Sequence, residues 1–200
     1  MCNGNYRNAI VQYIRNEANP RDKFDHQPRV YQLAKVLAED QPFDDEVLYA
    51  ACWLHDIGVF IGHRPEEPIA LAKWDNVAYV VRIIPDLLNQ WEFPTAKIAH
   101  VLDCIRQHLP TCVPKTFEAQ LLHDADVLEQ LGAIGLVRTI SKIGRDTRFI
   151  VQSDAISAIR RQKDHLPQCF VLASAKERAK PRVALLQHFL DEWDNDEKCS

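Results

Sequence analysis

Eight histidines are spread along this chain, at positions 26, 55, 63, 100, 108, 123, 165 and 188, and two of them are followed directly by aspartate. An imidazole beside a carboxylate, as in His55-Asp56 and His123-Asp124, can hold a divalent ion. It can equally be a helix-capping histidine next to a salt-bridged aspartate. With so many histidines the dipeptide alone says little, and its setting separates the two. His55-Asp56 closes the most apolar stretch of the chain, Val47-Leu-Tyr-Ala-Ala-Cys-Trp-Leu54, and Gly58 follows. Ionisable groups at the end of a buried helix must be satisfied there, because an unpaired buried charge is costly. A metal ion would supply the missing charge. Neighbouring helical positions point about 100° apart. Both side chains therefore reach one ion only at a frayed helix end, where Gly58 lets the backbone turn.

The elements that must carry these residues read as helices almost throughout. Ile10, Val11, Tyr13 and Ile14 mark a first helix, and Val30, Leu33, Ala34 and Leu37 a second. Asp44 or Asp45 can cap a third, with Val47, Leu48, Ala51 and Leu54 on its apolar face. The pattern predicts another helix from about residue 69 that stops before Pro85. Pro94 opens the next, with Ile98, Val101, Leu102 and Ile105 on one side. Two helices follow, at about 117–131 and 134–143, broken at Gly132. The tail, about 173–193, is helical with a kink or a division expected at Pro181. Six glycines are few for a protein of strands and turns, so the expected class is all-α.

Composition narrows the function classes. The 200 residues fit one sizeable core, so a single domain over 1–200 is expected, with a C-terminal helical extension at about 150–195. A net charge of -4 argues against a dedicated nucleic-acid binder, which would carry a basic footprint. The polar start lacks the apolar run of a signal peptide, and no apolar stretch is long enough for a bilayer. A cytoplasmic protein without a membrane partner is the expectation. The six cysteines, at 2, 52, 104, 112, 169 and 199, form no C-x-x-C pair. Cys52 and Cys104 fall in apolar-periodic segments and read as small core residues.

Four segments, in order, resemble a known family. They are His26-Gln-Pro-Arg29-Val30, Leu54-His55-Asp56-Ile57-Gly58, Ile105-Arg-Gln-His108, and the run from Leu121 through His123-Asp124-Ala125-Asp126 to Arg138-Thr139. Together they resemble the HD superfamily of metal-dependent phosphohydrolases, in its small bacterial branch, over a motif core of about 25–139. The resemblance implies a helical bundle with a metal site between core helices. It implies His26, His55, Asp56 and Asp126 as ligands of one divalent ion: Mn, Fe, Mg, Co, Ni or Zn. Asp124 and Asp126 lie about 200° apart on a helix and cannot both face one ion. Periodicity leans to Asp124 and the family pattern to Asp126. His108 matches a histidine that binds a second metal or a phosphate in family members. Related sequences usually carry a further histidine at the position of Pro68, while His63 is out of register, so one ion is expected rather than two. The glutamate found after the His-Asp pair in some members is replaced by Val59 and Phe60.

The activity so implied is hydrolysis of a small phosphate ester or anhydride, a nucleotide above all, by metal-activated water. Asp56 and His108 are the expected catalytic residues. Arg29, Arg138, Lys142 and Arg145 are the expected phosphate binders, the last three on one face if the helix continues through them. The alternative is a catalytically silent module that binds a nucleotide or a partner protein, which Pro68 and the missing glutamate favour.

Overall fold

The computed structural model describes residues 5–198. Its packing divides the chain into two compact units, residues 1–123 and 124–200. Among the described residues the regular structure is helical, with one isolated bridge between Ile61 and Arg64. No described helix is long and apolar enough to cross a membrane.

The first unit is built around α3 (Asp45–Leu54), in which every residue from Val47 to Leu54 is buried. Burying each large apolar side chain there contributes about 1.5–3 kcal/mol before chain entropy is charged against it. The Asp44 carboxylate caps α3 by accepting from the backbone N–H of Glu46 and Val47, as the sequence predicts. Around α3 pack α1 (Asn5–Glu17), α2 (His26–Ala38) and α6 (Thr95–Arg106). Pro28 sits in the first turn of α2, where a missing N–H costs nothing. Cys52 and Cys104 are buried as expected, and burial pushes the Cys104 thiol up to about 12. Cys2 and Cys199 lie outside the described residues.

The single helix expected before Pro85 is instead two. A short α4 (Pro68–Ala72) ends at Lys73, and α5 (Asn76–Gln90) begins after Asp75, whose carboxylate accepts from Ala78 N–H at 2.8 Å. α5 then runs through Pro85 rather than stopping there. Val80, Ile84 and Leu88 form one buried stripe across the proline. Their burial outweighs the roughly 3 kcal/mol that an interior proline costs.

In the second unit, α10 (Ala173–Lys198) packs on α8 (Gly132–Ile140) and α9 (Gln152–His165). α10 is one helix through Pro181, not two pieces. Gly132 opens α8 with φ +76, and a Cβ there would lie 3.0 Å from Cγ of Arg182. α8 ends at Ile140, three residues short of its expected end, and turns follow. Within them the Arg148 guanidinium holds the Asp146 carboxyl down at about 2. A carboxyl depressed from 3.8 adds stability above pH 4 that is lost as pH falls toward 2. Acid unfolding of Asp146→Asn, followed by circular dichroism, is expected to show a flatter stability profile in that window. The effect is small, since the side chain of Arg148 is 73% exposed.

Candidate metal centre

The centre begins with how two imidazoles end their helices. His55 follows the last residue of α3, and its Nδ1 lies 2.9 Å from the carbonyl oxygen of Cys52. His108 stands just past α6, and its Nδ1 lies 2.6 Å from the carbonyl oxygen of Ile105. The same local device recurs: an imidazole folds back on the carbonyl three residues earlier, at a helix end where carbonyls lack helical partners. A carbonyl only accepts, so in each neutral ring Nδ1 carries the proton and Nε2 the lone pair. Such backbone anchoring fixes the orientation of metal-binding histidines.

His26, at the start of α2, meets His55 ring to ring with centroids 5.3 Å apart, and His55 meets His108 at 5.0 Å. All three imidazoles are buried. One Asp56 carboxylate oxygen lies 3.6 Å from Nε2 of His26 and 3.9 Å from Nε2 of His55. Ligand atoms of these three residues all fall within 4.8 Å of one another. Donors around a common ion at about 2.0–2.2 Å stand roughly 3–3.5 Å apart, so a small inward movement would close the set. Two lone-pair imidazole nitrogens with one carboxylate are the chemistry of a first-row divalent ion. The side chain of Asp56 is 18% exposed, whereas those of His26 and His55 are almost fully covered. Solvent therefore reaches the set on its carboxylate side.

The other expected residues divide. Arg29 is half-buried on α2. His63 is committed elsewhere, with Nε2 at 2.9 Å from Glu17 Oε2 and Nδ1 at 2.9 Å from the Tyr79 hydroxyl. In the second unit the fully buried Asp124 carboxylate accepts from the N–H groups of Val171, at 3.1 Å, and Leu172, at 2.7 Å. It thus anchors the start of α10, with donors that sequence spacing does not name. Asp126, on α7 (Phe117–Glu129), is buried with its carboxylate 3.4 Å from the Gln130 amide nitrogen. Because α8 stops at Ile140, Arg138, Lys142 and Arg145 do not share one helical face. Arg138 pairs with Glu129 at 3.1 Å, Lys142 lies over the Phe149 ring, and Arg145 is exposed.

A cleft of about 950 Å³ elsewhere in the first unit is lined by Arg7, Asp44, Asp45, Glu46, Lys97 and Glu118, among others. Its charges answer one another. Lys97 bridges Asp44 and Glu46, and Arg7 holds Asp45 at 2.7 Å.

Comparison with known proteins gives the family and the fold. The sequence model of the HD domain matches residues 24–131, more than half of the chain. The chain belongs to the HD family. Among solved structures, this HD protein is similar to one from Lactobacillus plantarum, with 21% identity over all of both chains and a TM-score of 0.77. It is similar to Bacillus subtilis YpgQ in complex with ADP, with 18% identity over 96% of this chain and 94% of that one, TM-score 0.72. It is also similar to an HD-superfamily hydrolase from Bacillus thuringiensis, with 20% identity over 98% and 97% of the chains, TM-score 0.70. At such identities the likeness is one of fold. No curated protein matches the sequence.

Proposed function

We propose that this HD protein is a metal-dependent phosphohydrolase acting on a small phosphorylated compound, a nucleotide first of all. The observation that carries this reading is the convergence of His26, His55 and Asp56 beside the ring of His108. Asp126 is the proposed fourth ligand of one ion, on the pattern of the family. A bound divalent ion lowers the pKa of a coordinated water and polarises a phosphoryl oxygen. Asp56, the least buried member of the set, takes the proton from the attacking water as the new P–O bond forms. His108, protonated at Nε2 while Nδ1–H stays on the Ile105 carbonyl, donates to the leaving oxygen as the old P–O bond breaks. Arg29, three residues from His26 and so on the same side of α2, is the first candidate to hold a phosphate oxygen. Arg138, Lys142 and Arg145 are proposed as secondary contacts, and Arg138 would exchange Glu129 for phosphate. The ADP bound by YpgQ supports a nucleotide over other phosphates.

Pro68, in place of a further histidine, favours a second reading: a silent module that binds a nucleotide. One experiment separates the two. The protein is purified without chelator, its metal content is measured, and it is assayed with Mn²⁺, Mg²⁺, Co²⁺ and Ni²⁺ against nucleoside mono-, di- and triphosphates and a generic phosphodiester. Phosphate release with about one ion per chain is expected. No release with any metal, while a nucleotide still raises the melting temperature, overturns the hydrolase in favour of the binding module.

A further inference from the structure

We propose that Trp74 is a positioning residue for Asp56, acting through the backbone of the turn that carries it. The inference rests on the reading of His26, His55 and Asp56 as ligands of an ion. Asp56 precedes a single 3-10 turn, Ile57–Val59, with φ -107 and ψ 12. This is the sparsely allowed bridge region, which needs support from its surroundings. The Asp56 side chain does not cap the turn. The turn is held by backbone instead, with Val59 N–H donating to the Asp56 carbonyl and Phe60 N–H to the Ile57 carbonyl, both at 3.1 Å. Its middle carbonyl, that of Gly58, accepts from the indole N–H of Trp74 at 2.8 Å.

A second contact bears on the turn from α5, and a third holds Trp74 itself. A Cβ on Gly58 would lie 2.6 Å from the carbonyl oxygen of Asn76 and 3.0 Å from its Cα, so the first residue of α5 rests directly on the turn's backbone. Glycine is required there by this close approach rather than by a positive φ. The Trp74 ring in turn packs on Tyr79 with centroids 5.1 Å apart, and the Tyr79 hydroxyl meets His63, which reaches Glu17 of α1. Trp74 stands in the break between α4 and α5, after Lys73 and before the cap at Asp75, and from there its indole reaches Gly58.

The test is a pair of variants. Trp74→Phe keeps an aromatic ring and loses the donor; Trp74→His restores a ring N–H. Mn²⁺ affinity is measured by calorimetry, the absorption spectrum with Co²⁺, and the melting temperature in chelator. For Trp74→Phe, Mn²⁺ binding about 10–100-fold weaker is expected, as for other groups that orient a metal ligand from outside. The Co²⁺ spectrum should shift, the metal-free melting temperature should move by no more than a few degrees, and Trp74→His should recover part of the affinity. Parental affinity in Trp74→Phe overturns the proposal. So does failure of that variant to fold, because Trp74 would then serve the fold as a whole. If the parent protein itself binds no ion, the metal reading fails, and it fails separately from this one.

Discussion

Replacing Asp56 by alanine is expected to abolish both ion binding and turnover while leaving the metal-free fold intact. The carboxylate is the charged member of the set, 3.6 and 3.9 Å from the two histidine nitrogens, and it is the member that solvent reaches. Losing a group that merely orients a ligand weakens metal binding about 10–100-fold. Losing the ligand itself should exceed the upper end of that range, which at micromolar metal amounts to no bound ion. The fold should tolerate the change, because the side chain caps no helix and its partly exposed place admits water. Metal analysis, calorimetry with Mn²⁺ and phosphate release measure the three consequences. Turnover that survived intact would sink the proposed centre, whatever the melting temperature did.

The two aspartates of α7 should respond in opposite ways to the same substitution. Asp124→Ala removes a buried carboxylate that accepts from two backbone N–H groups at the start of α10. Charge-assisted bonds of this kind contribute about 1.5–3 kcal/mol, and the negative charge at a helix N-terminus adds to it. A loss of about 2–3 kcal/mol, or roughly 4–12 °C in melting temperature for a chain of this size, is expected with ion binding retained. Asp126→Ala should instead leave the metal-free melting temperature nearly unchanged and remove most of the ion affinity. Calorimetric melting in chelator and Mn²⁺ titration of both variants read the difference. Ion binding lost in Asp124→Ala and kept in Asp126→Ala would exchange the two assignments.

The sequence alone determined the helical class and the capped helix whose run from Val47 to Leu54 is buried, and through the family resemblance it pointed to His26 and His108. These features are written locally: in spacing along one helix, in a capping aspartate, in a run of buried residues. For the same reason the recurrent bond from histidine to the carbonyl three residues before could have been anticipated from the helix ends. Only the tertiary structure decided what distant groups ask of a residue. Pro85 stays inside α5 because Val80, Ile84 and Leu88 bury on both sides of it. His63 is taken by Glu17 and Tyr79, from other helices. Asp124 finds its donors more than forty residues away, at Val171 and Leu172. The basic run ceases to be a helical face because α8 ends at Ile140. The opening pair, His55-Asp56, shows both sides. Its residue types can hold an ion, whereas the turn that carries Asp56 is met by the indole of Trp74, sixteen positions beyond Gly58, and by the backbone of Asn76 pressed against that glycine. Periodicity and caps are properties of a segment, but hydrogen-bond partners and close approaches exist only once segments have packed.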